Sequence, residues 1–145
     1  MKGVNIFFIV FFGLYGLLHL YGFTKLKRAL EPGPWPLAGL TLFMITMVLA
    51  PLLVRLLEGN GWPTPARILA HIGYVWMGLL FLFVSCALVL DAYRILILIF
   101  QGAVRVDLSR LVPSPRLSFF APLIVALTVG IFGFFQALNM RTEWI

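Results

Sequence analysis

The chain has 145 residues, of which 62% are hydrophobic and 11% are charged, and its formal net charge is +6. Together with a mean hydropathy of +1.05, this composition excludes an ordinary soluble globular protein and predicts a single-domain integral membrane protein. The basic residues lie in short segments between apolar runs, where anionic lipid headgroups are the available partner. We therefore expect the lipid bilayer as a partner and no binding of nucleic acid.

Four apolar runs are each long enough to cross a hydrocarbon core of about 30 Å as a helix. The predicted spans are 4–23, 36–57, 69–99 and 118–138. Segments rich in proline or glycine separate them, and such short connections favour antiparallel neighbours. The runs are continuously apolar instead of alternating, which disfavours a β-barrel. The predicted fold class is all-α, an antiparallel four-helix transmembrane bundle.

The basic residues are distributed unevenly between the two sides of such a bundle. The first and third connections hold six of them, whereas the second connection, counted with Lys2 and Arg141, holds four. Because cytoplasmic loops carry the excess of Lys and Arg, both termini are predicted to lie outside. The first run is too long for the apolar part of a cleaved signal peptide and no small-residue cleavage site follows it, so we expect it to stay attached.

Ionisable side chains within the apolar runs are few, and each needs a partner or a function. Asp91 and Arg94 are three residues apart on one helical face and suit an intrahelical ion pair, or a polar centre shared with another helix or a headgroup. At 1.5 Å per residue, His19 lies roughly 22 Å below the outer start of its helix, and Asp91 lies roughly 33 Å below the outer start of its own. A register uncertainty of one turn would bring the two side chains close together in depth. We therefore predict a polar centre of Tyr15, His19, Asp91 and Arg94, in which His19 is structural.

The remaining reactive residues suggest no further site. His71 follows the second connection, where interfacial solvation explains it, and it lies roughly 20 Å from His19 along the membrane normal, too far for shared haem ligation within one chain. Cys86 is the single cysteine and is expected to pack in the bundle. The sequence contains no Walker loop, HExxH, GxSxG or CxxC motif. We expect no catalytic residue, metal ion or cofactor.

Three stretches carry a resemblance to a known family. They are the run 11–30 with its "YGLLHLY" pattern, "DAYR" at 91–94, and "FGFFQALNMRTEW" at 132–144. Together they resemble the N-terminal membrane region of bacterial transmembrane metallophosphoesterases. The resemblance implies a four-helix domain of the bacterial inner membrane, opened by a YGxxHxY helix and followed by a calcineurin-like phosphoesterase domain. The matching residues in the first helix are Tyr15, Gly16, His19 and Tyr21.

The sequence departs from that family in two respects. It contains none of the DxH, GDxxD and GNH motifs that hold the two metal ions of such enzymes, and Gln136 stands where the family usually has glutamate. The expected function is a non-catalytic domain that anchors and orients a metallophosphoesterase, whose catalytic part would follow this chain or belong to a separate subunit.

Two alternatives come from other classes of protein. One is a small oligomeric carrier or ion-conducting protein, a homo-oligomer organised around His19, Asp91 and Arg94. The other is a lipid- or cofactor-binding membrane subunit of a larger complex.

Overall fold

The computed structural model describes residues 2–104 and 109–142, and this part of the chain is almost entirely helical. Its elements are helices α1 (Lys2–Leu30), α2 (Pro34–Gly59), α3 (Pro63–Val104) and α4 (Pro115–Thr142), with a short 3-10 helix (Ser109–Leu111) before α4. All four α-helices are long and apolar enough to cross a membrane. The predicted all-α class is confirmed, and the four helices of sufficient length and apolarity indicate a multi-pass membrane protein.

The helices extend beyond the predicted spans. Helix α1 continues to Leu30 because the residues after Phe23 include Lys, Leu, Arg and Ala, which are strong helix formers. It ends where Glu31 takes a positive φ of 44° and a proline follows. Helix α3 begins at Pro63, since a proline in the first turn needs no amide partner. Its 42 residues make it about 63 Å long, roughly twice the hydrocarbon thickness.

Helices α1 and α3 each pack against the other three helices, and the contacts of α3 with α2 and α4 are the most extensive. Aromatic rings meet at two of these contacts: Phe43 of α2 lies 4.8 Å from Trp76 of α3, and Phe119 of α4 lies 5.5 Å from Phe83 of α3, between ring centroids. The main cluster of buried apolar residues draws on α1, α3 and α4, and consists of Tyr15, Ala29, Leu80, Phe83, Val84, Ala87, Phe119 and Ala126. Helix α2 contributes further buried residues, Met44, Met47 and Ala50.

Small residues allow close approach at fewer places than expected. Glycines in membrane helices permit close approach of a neighbouring helix, and the sequence offers seven such positions, namely Gly13, Gly16, Gly39, Gly73, Gly78, Gly130 and Gly133. A Cβ built at Gly130 would lie 2.7 Å from Leu79 Cδ2, and one at Gly73 would lie 3.5 Å from Ala50 Cβ, whereas the other five glycines have nothing within 4 Å. Gly22, which was not among them, faces Leu80 Cδ1 at 3.3 Å and belongs to the α1–α3 contact.

The outward surfaces of the helices are apolar. Large hydrophobic side chains such as Ile9, Val89 and Phe132 are about two-thirds exposed (71%, 69% and 67%). A soluble monomer rarely exposes a continuous apolar surface of this extent. Such a surface is suited to contact with lipid chains, in agreement with the four candidate membrane spans.

Candidate functional site

The polar side chains between α1 and α3 form two groups in the described part of the chain. The His19 cluster consists of Tyr15 and His19 of α1 with Trp76 of α3. The Asp91 cluster consists of Tyr21 and Lys25 of α1 with Asp91 and Arg94 of α3. The two clusters share the same pair of helices but no hydrogen bond.

His19 is buried, with 3% of its surface exposed, and both of its ring nitrogens have partners. Nδ1 lies 2.8 Å from the backbone oxygen of Tyr15, one turn earlier in α1. Nε2 lies 2.9 Å from Nε1 of Trp76. An indole N–H only donates and a carbonyl oxygen only accepts, so Nε2 must accept and Nδ1 must carry the proton. The contacts therefore require neutral His19 in the Nδ1–H tautomer.

Aromatic rings enclose this imidazole. The Tyr15 ring meets the His19 ring edge to face, with centroids 4.4 Å apart. Phe43 of α2 meets the Trp76 indole in the same manner at 4.8 Å. The cluster thus connects three helices through one imidazole and one indole. With both nitrogens occupied, His19 has no lone pair left for a metal or haem iron.

Asp91 receives donors on both carboxylate oxygens from α1. Lys25 Nζ lies 2.5 Å from Oδ1, and the Tyr21 hydroxyl donates to Oδ2 at 2.6 Å. The Lys25 side chain is 13% exposed and that of Asp91 is 30% exposed. Tyr21 and Lys25 are four residues apart, so they lie on one face of α1 and reach the same carboxylate. Arg94 adds a favourable Coulombic interaction from α3 itself.

The structure divides the predicted centre of Tyr15, His19, Asp91 and Arg94. His19 bonds to Trp76, which precedes Asp91 by fifteen residues in the continuous helix α3, or about 22 Å along the axis. The expected His19–Asp91 contact is therefore replaced by a His19–Trp76 contact.

Two features of the helices account for the difference. The depth comparison assumed that α3 enters the membrane at residue 69 and runs level with α1, whereas α3 begins at Pro63. In addition, Asp91 forms its ion pair with Lys25 of α1, whereas the sequence suggested an ion pair with Arg94 in the same helix.

Sequence reasoning missed two of these residues, Lys25 and Trp76. Lys25 was counted as a loop charge because the first helix was expected to end at Phe23. Its spacing of four from Tyr21, in a segment rich in helix-forming residues, was the available signal. Trp76 lies inside the predicted third span, but the predicted polar centre did not include it, because tryptophan in a membrane protein is typical of the interfaces. Trp35 and Trp62 are exposed near helix starts, as interfacial anchors are, and Trp144 lies outside the described residues.

The other residues considered from the sequence lie apart from both clusters. His71 is exposed near the start of α3, and Cys86 is half-buried within it. Within residues 2–104 and 109–142, no three His, Cys, Asp or Glu side chains come close enough together to hold a metal ion. The described arrangement therefore consists of hydrogen bonds and one ion pair between helices.

Comparisons of the sequence with family models and with curated proteins, and of the fold with solved structures, give no significant match. The geometry of the bundle and the residues of the first helix therefore carry the functional inference.

Proposed function

We propose that this chain is a non-catalytic membrane domain that anchors and orients a metallophosphoesterase at the surface of the bacterial inner membrane. One observation carries the anchoring part of the proposal. In the described part of the chain, every buried side-chain nitrogen or oxygen has a hydrogen-bond partner within the protein. Polar groups that are fully used between helices stabilise one arrangement of the bundle, which is what an orienting domain requires.

The link to metallophosphoesterases rests on the sequence resemblance. The geometry indicates a role for the YGxxHxY pattern that carries part of this resemblance. In the YGxxHxY pattern, Tyr15 and His19 belong to the His19 cluster and Tyr21 belongs to the Asp91 cluster. The side chains of His19 and Tyr21 bond to residues of α3, and the Tyr15 ring packs against the His19 ring. We therefore interpret the pattern as a helix-packing motif and not as a reaction centre.

An antiparallel arrangement completes the proposal. Phe43 of α2 meets Trp76, while Ala50, further along α2, faces Gly73, which is earlier in α3. The contact positions move in opposite directions along the two helices, which supports antiparallel packing. A similar inversion relates α3 and α4, where Phe83 meets Phe119 and Leu79 meets Gly130.

Combined with the excess of basic residues in the first and third connections, this arrangement would place both termini outside. A domain that follows α4 would then also lie outside the membrane.

A carrier or ion-conducting protein is less well supported. Such a path through a membrane uses ionisable groups that exchange partners with the transported ion. Asp91 already has a donor on each oxygen, and one of them is the ammonium of Lys25. His19 likewise has both nitrogens occupied. The geometry therefore favours a structural role for both residues.

Co-purification tests the proposal. The tagged protein is isolated in mild detergent from its native membranes, together with any part attached to it, and assayed for Mn²⁺-dependent hydrolysis of bis(p-nitrophenyl) phosphate. We expect chelator-sensitive activity in this preparation and none when residues 1–145 are produced alone in another host. Hydrolysis by residues 1–145 alone would contradict a non-catalytic role, and an inactive native preparation would contradict the association with a phosphoesterase.

A further inference from the structure

A polar cavity of about 270 Å³ lies where the end of α1 meets the start of α4. We call it the arginine cavity; its lining consists of Arg28, Ala29, Leu30, Glu31, Ser114, Pro115 and Arg116. Two arginines from different helices, Arg28 of α1 and Arg116 of α4, therefore border one small space. This cavity is separate from the His19 and Asp91 clusters, none of whose residues line it.

The cavity lies at an end of two candidate membrane spans. The span of α1, Phe8–Leu30, ends there, and the span of α4, Pro115–Ala137, begins there. The ends of such spans lie where the hydrocarbon core gives way to lipid headgroups. Phosphate groups of the surrounding lipids are therefore at the same depth as the two arginines.

The lining residues have the chemistry to bind a phosphate. Arg28 and Arg116 are exposed, and neither takes part in the ion pair found among the described residues. A guanidinium group presents paired N–H donors that fit two oxygens of a phosphate. Ser114 accepts a hydrogen bond from the amide of Leu117 through its Oγ, so its hydroxyl proton can be donated to an anion. The lining also includes Leu30 and Pro115, which suit the glycerol and acyl portions of a lipid.

Glu31 is the one acidic residue of the lining, and it opposes anion binding. Its backbone amide donates to the oxygen of Lys27, which places Glu31 directly after the last turn of α1. A carboxylate at this point repels a phosphate, so its removal should have the opposite effect to removal of an arginine. Variants can therefore test the cavity in two ways, because loss of an arginine should lower its affinity for an anion and loss of Glu31 should raise it.

We propose that the arginine cavity binds the phosphate of an anionic phospholipid, with Arg28 and Arg116 as the principal donors. A lipid held there would join the end of α1 to the start of α4 at the membrane surface. The net charge of +6 and the surrounding bilayer both favour an anionic lipid as the occupant. This inference does not depend on any association with a phosphoesterase.

Native mass spectrometry of the purified full chain in an uncharged detergent tests the proposal. Dioleoyl phosphatidylglycerol and dioleoyl phosphatidylcholine, which share acyl chains, are titrated separately. We expect tighter binding of phosphatidylglycerol, and a loss of roughly tenfold or more in its affinity in the R28Q/R116Q variant, since charge-assisted hydrogen bonds are lost. The E31Q variant should bind phosphatidylglycerol more tightly than the unaltered protein.

The R67Q/R110Q variant is the matched control, because it removes two exposed arginines that do not line the cavity. An equal loss of affinity in this control, or unchanged binding in R28Q/R116Q, would overturn the proposal. Displacement of the lipid by millimolar inorganic phosphate would identify a site for free phosphate and would also overturn it. If R28Q/R116Q does not fold, R116Q alone and E31Q must still change affinity in opposite directions.

Discussion

Nζ of Lys25 lies 2.5 Å from Oδ1 of Asp91, and this ion pair joins α1 to α3 between two segments that are both candidate membrane spans. Charges at membrane depth are costly unless they are paired. The Tyr21 hydroxyl, on Oδ2 of the same carboxylate, completes the arrangement. The pair therefore makes the relative position of α1 and α3 specific, because any sliding of one helix would leave a charge without its partner.

The first prediction concerns the carboxylate. Asp91→Asn removes the negative charge and leaves Lys25 without its counter-charge, so the bundle should lose roughly 1 to 3 kcal/mol of unfolding free energy. Titration with sodium dodecyl sulfate in mixed micelles, followed by circular dichroism, measures this loss. Glu58→Gln removes the same charge from an exposed residue of α2 and should change stability by less than about 0.5 kcal/mol. Equal stability of Asp91→Asn and the unaltered protein would contradict the role of the carboxylate.

The second prediction concerns the coupling between the two partners. Lys25→Met retains an apolar stem of similar length and removes the ammonium. The double variant K25M/D91N should be destabilised by less than the sum of the two single variants, with a coupling of about 1 kcal/mol or more, because residues in direct contact are not additive. The same unfolding titration on the unaltered protein, the two single variants and the double variant measures this coupling as a double-mutant cycle. Strict additivity would show that the two charges do not interact across α1 and α3.

The third prediction concerns the His19 cluster. His19→Gln keeps a donor and an acceptor and should cost less stability than His19→Leu, which leaves the indole N–H of Trp76 without its acceptor. Trp76→Phe removes the donor to Nε2 and should cost roughly 1 to 3 kcal/mol. Thermal unfolding in detergent ranks these variants. Trp35→Phe, at an indole that is 87% exposed, is the control, and a loss there as large as that of Trp76→Phe would refute the assignment.

The fourth prediction concerns the contact of α1 with α3 at Gly22. A Cβ there would lie 3.3 Å from Leu80 Cδ1, so the larger side chain of Gly22→Leu must displace α3. We expect a loss of about 1 to 3 kcal/mol, as for other overpacked sites. Gly39→Leu is the control, because nothing lies within 4 Å of a Cβ at Gly39 of α2. If both variants are equally stable in the unfolding titration, the close approach at Gly22 does not exist.

The fifth prediction concerns the side of the membrane on which the termini lie. In a Cys86→Ser background, single cysteines at positions 2 and 141 should react with a membrane-impermeant maleimide in intact cells. The reason is the six-to-four distribution of basic residues, which favours the first and third connections on the inner side. Arg110→Cys should react only after permeabilisation. Protection of both terminal positions together with labelling at position 110 would reverse the topology.

Much of the fold could be predicted because lipid imposes it locally. A backbone in hydrocarbon must satisfy its hydrogen bonds within its own segment, so a run of about 20 apolar residues becomes a helix whatever surrounds it. The proline-containing connections indicated where one helix gives way to the next. The helix ends were less predictable, since the basic continuation of α1 to Leu30 is polar enough to be mistaken for a loop.

The sequence by itself determined the all-α membrane class, the four helices, and the requirement that His19 and Asp91 each have a polar partner. Only the tertiary structure decided that those partners are Trp76 and Lys25. The physical reason is that spacing along the chain defines neighbours only within one helix. Contacts between helices depend on how each one is rotated, shifted and inclined against the next. Those quantities are set by the packing of all four helices together, and a shift of one turn exchanges one partner for another.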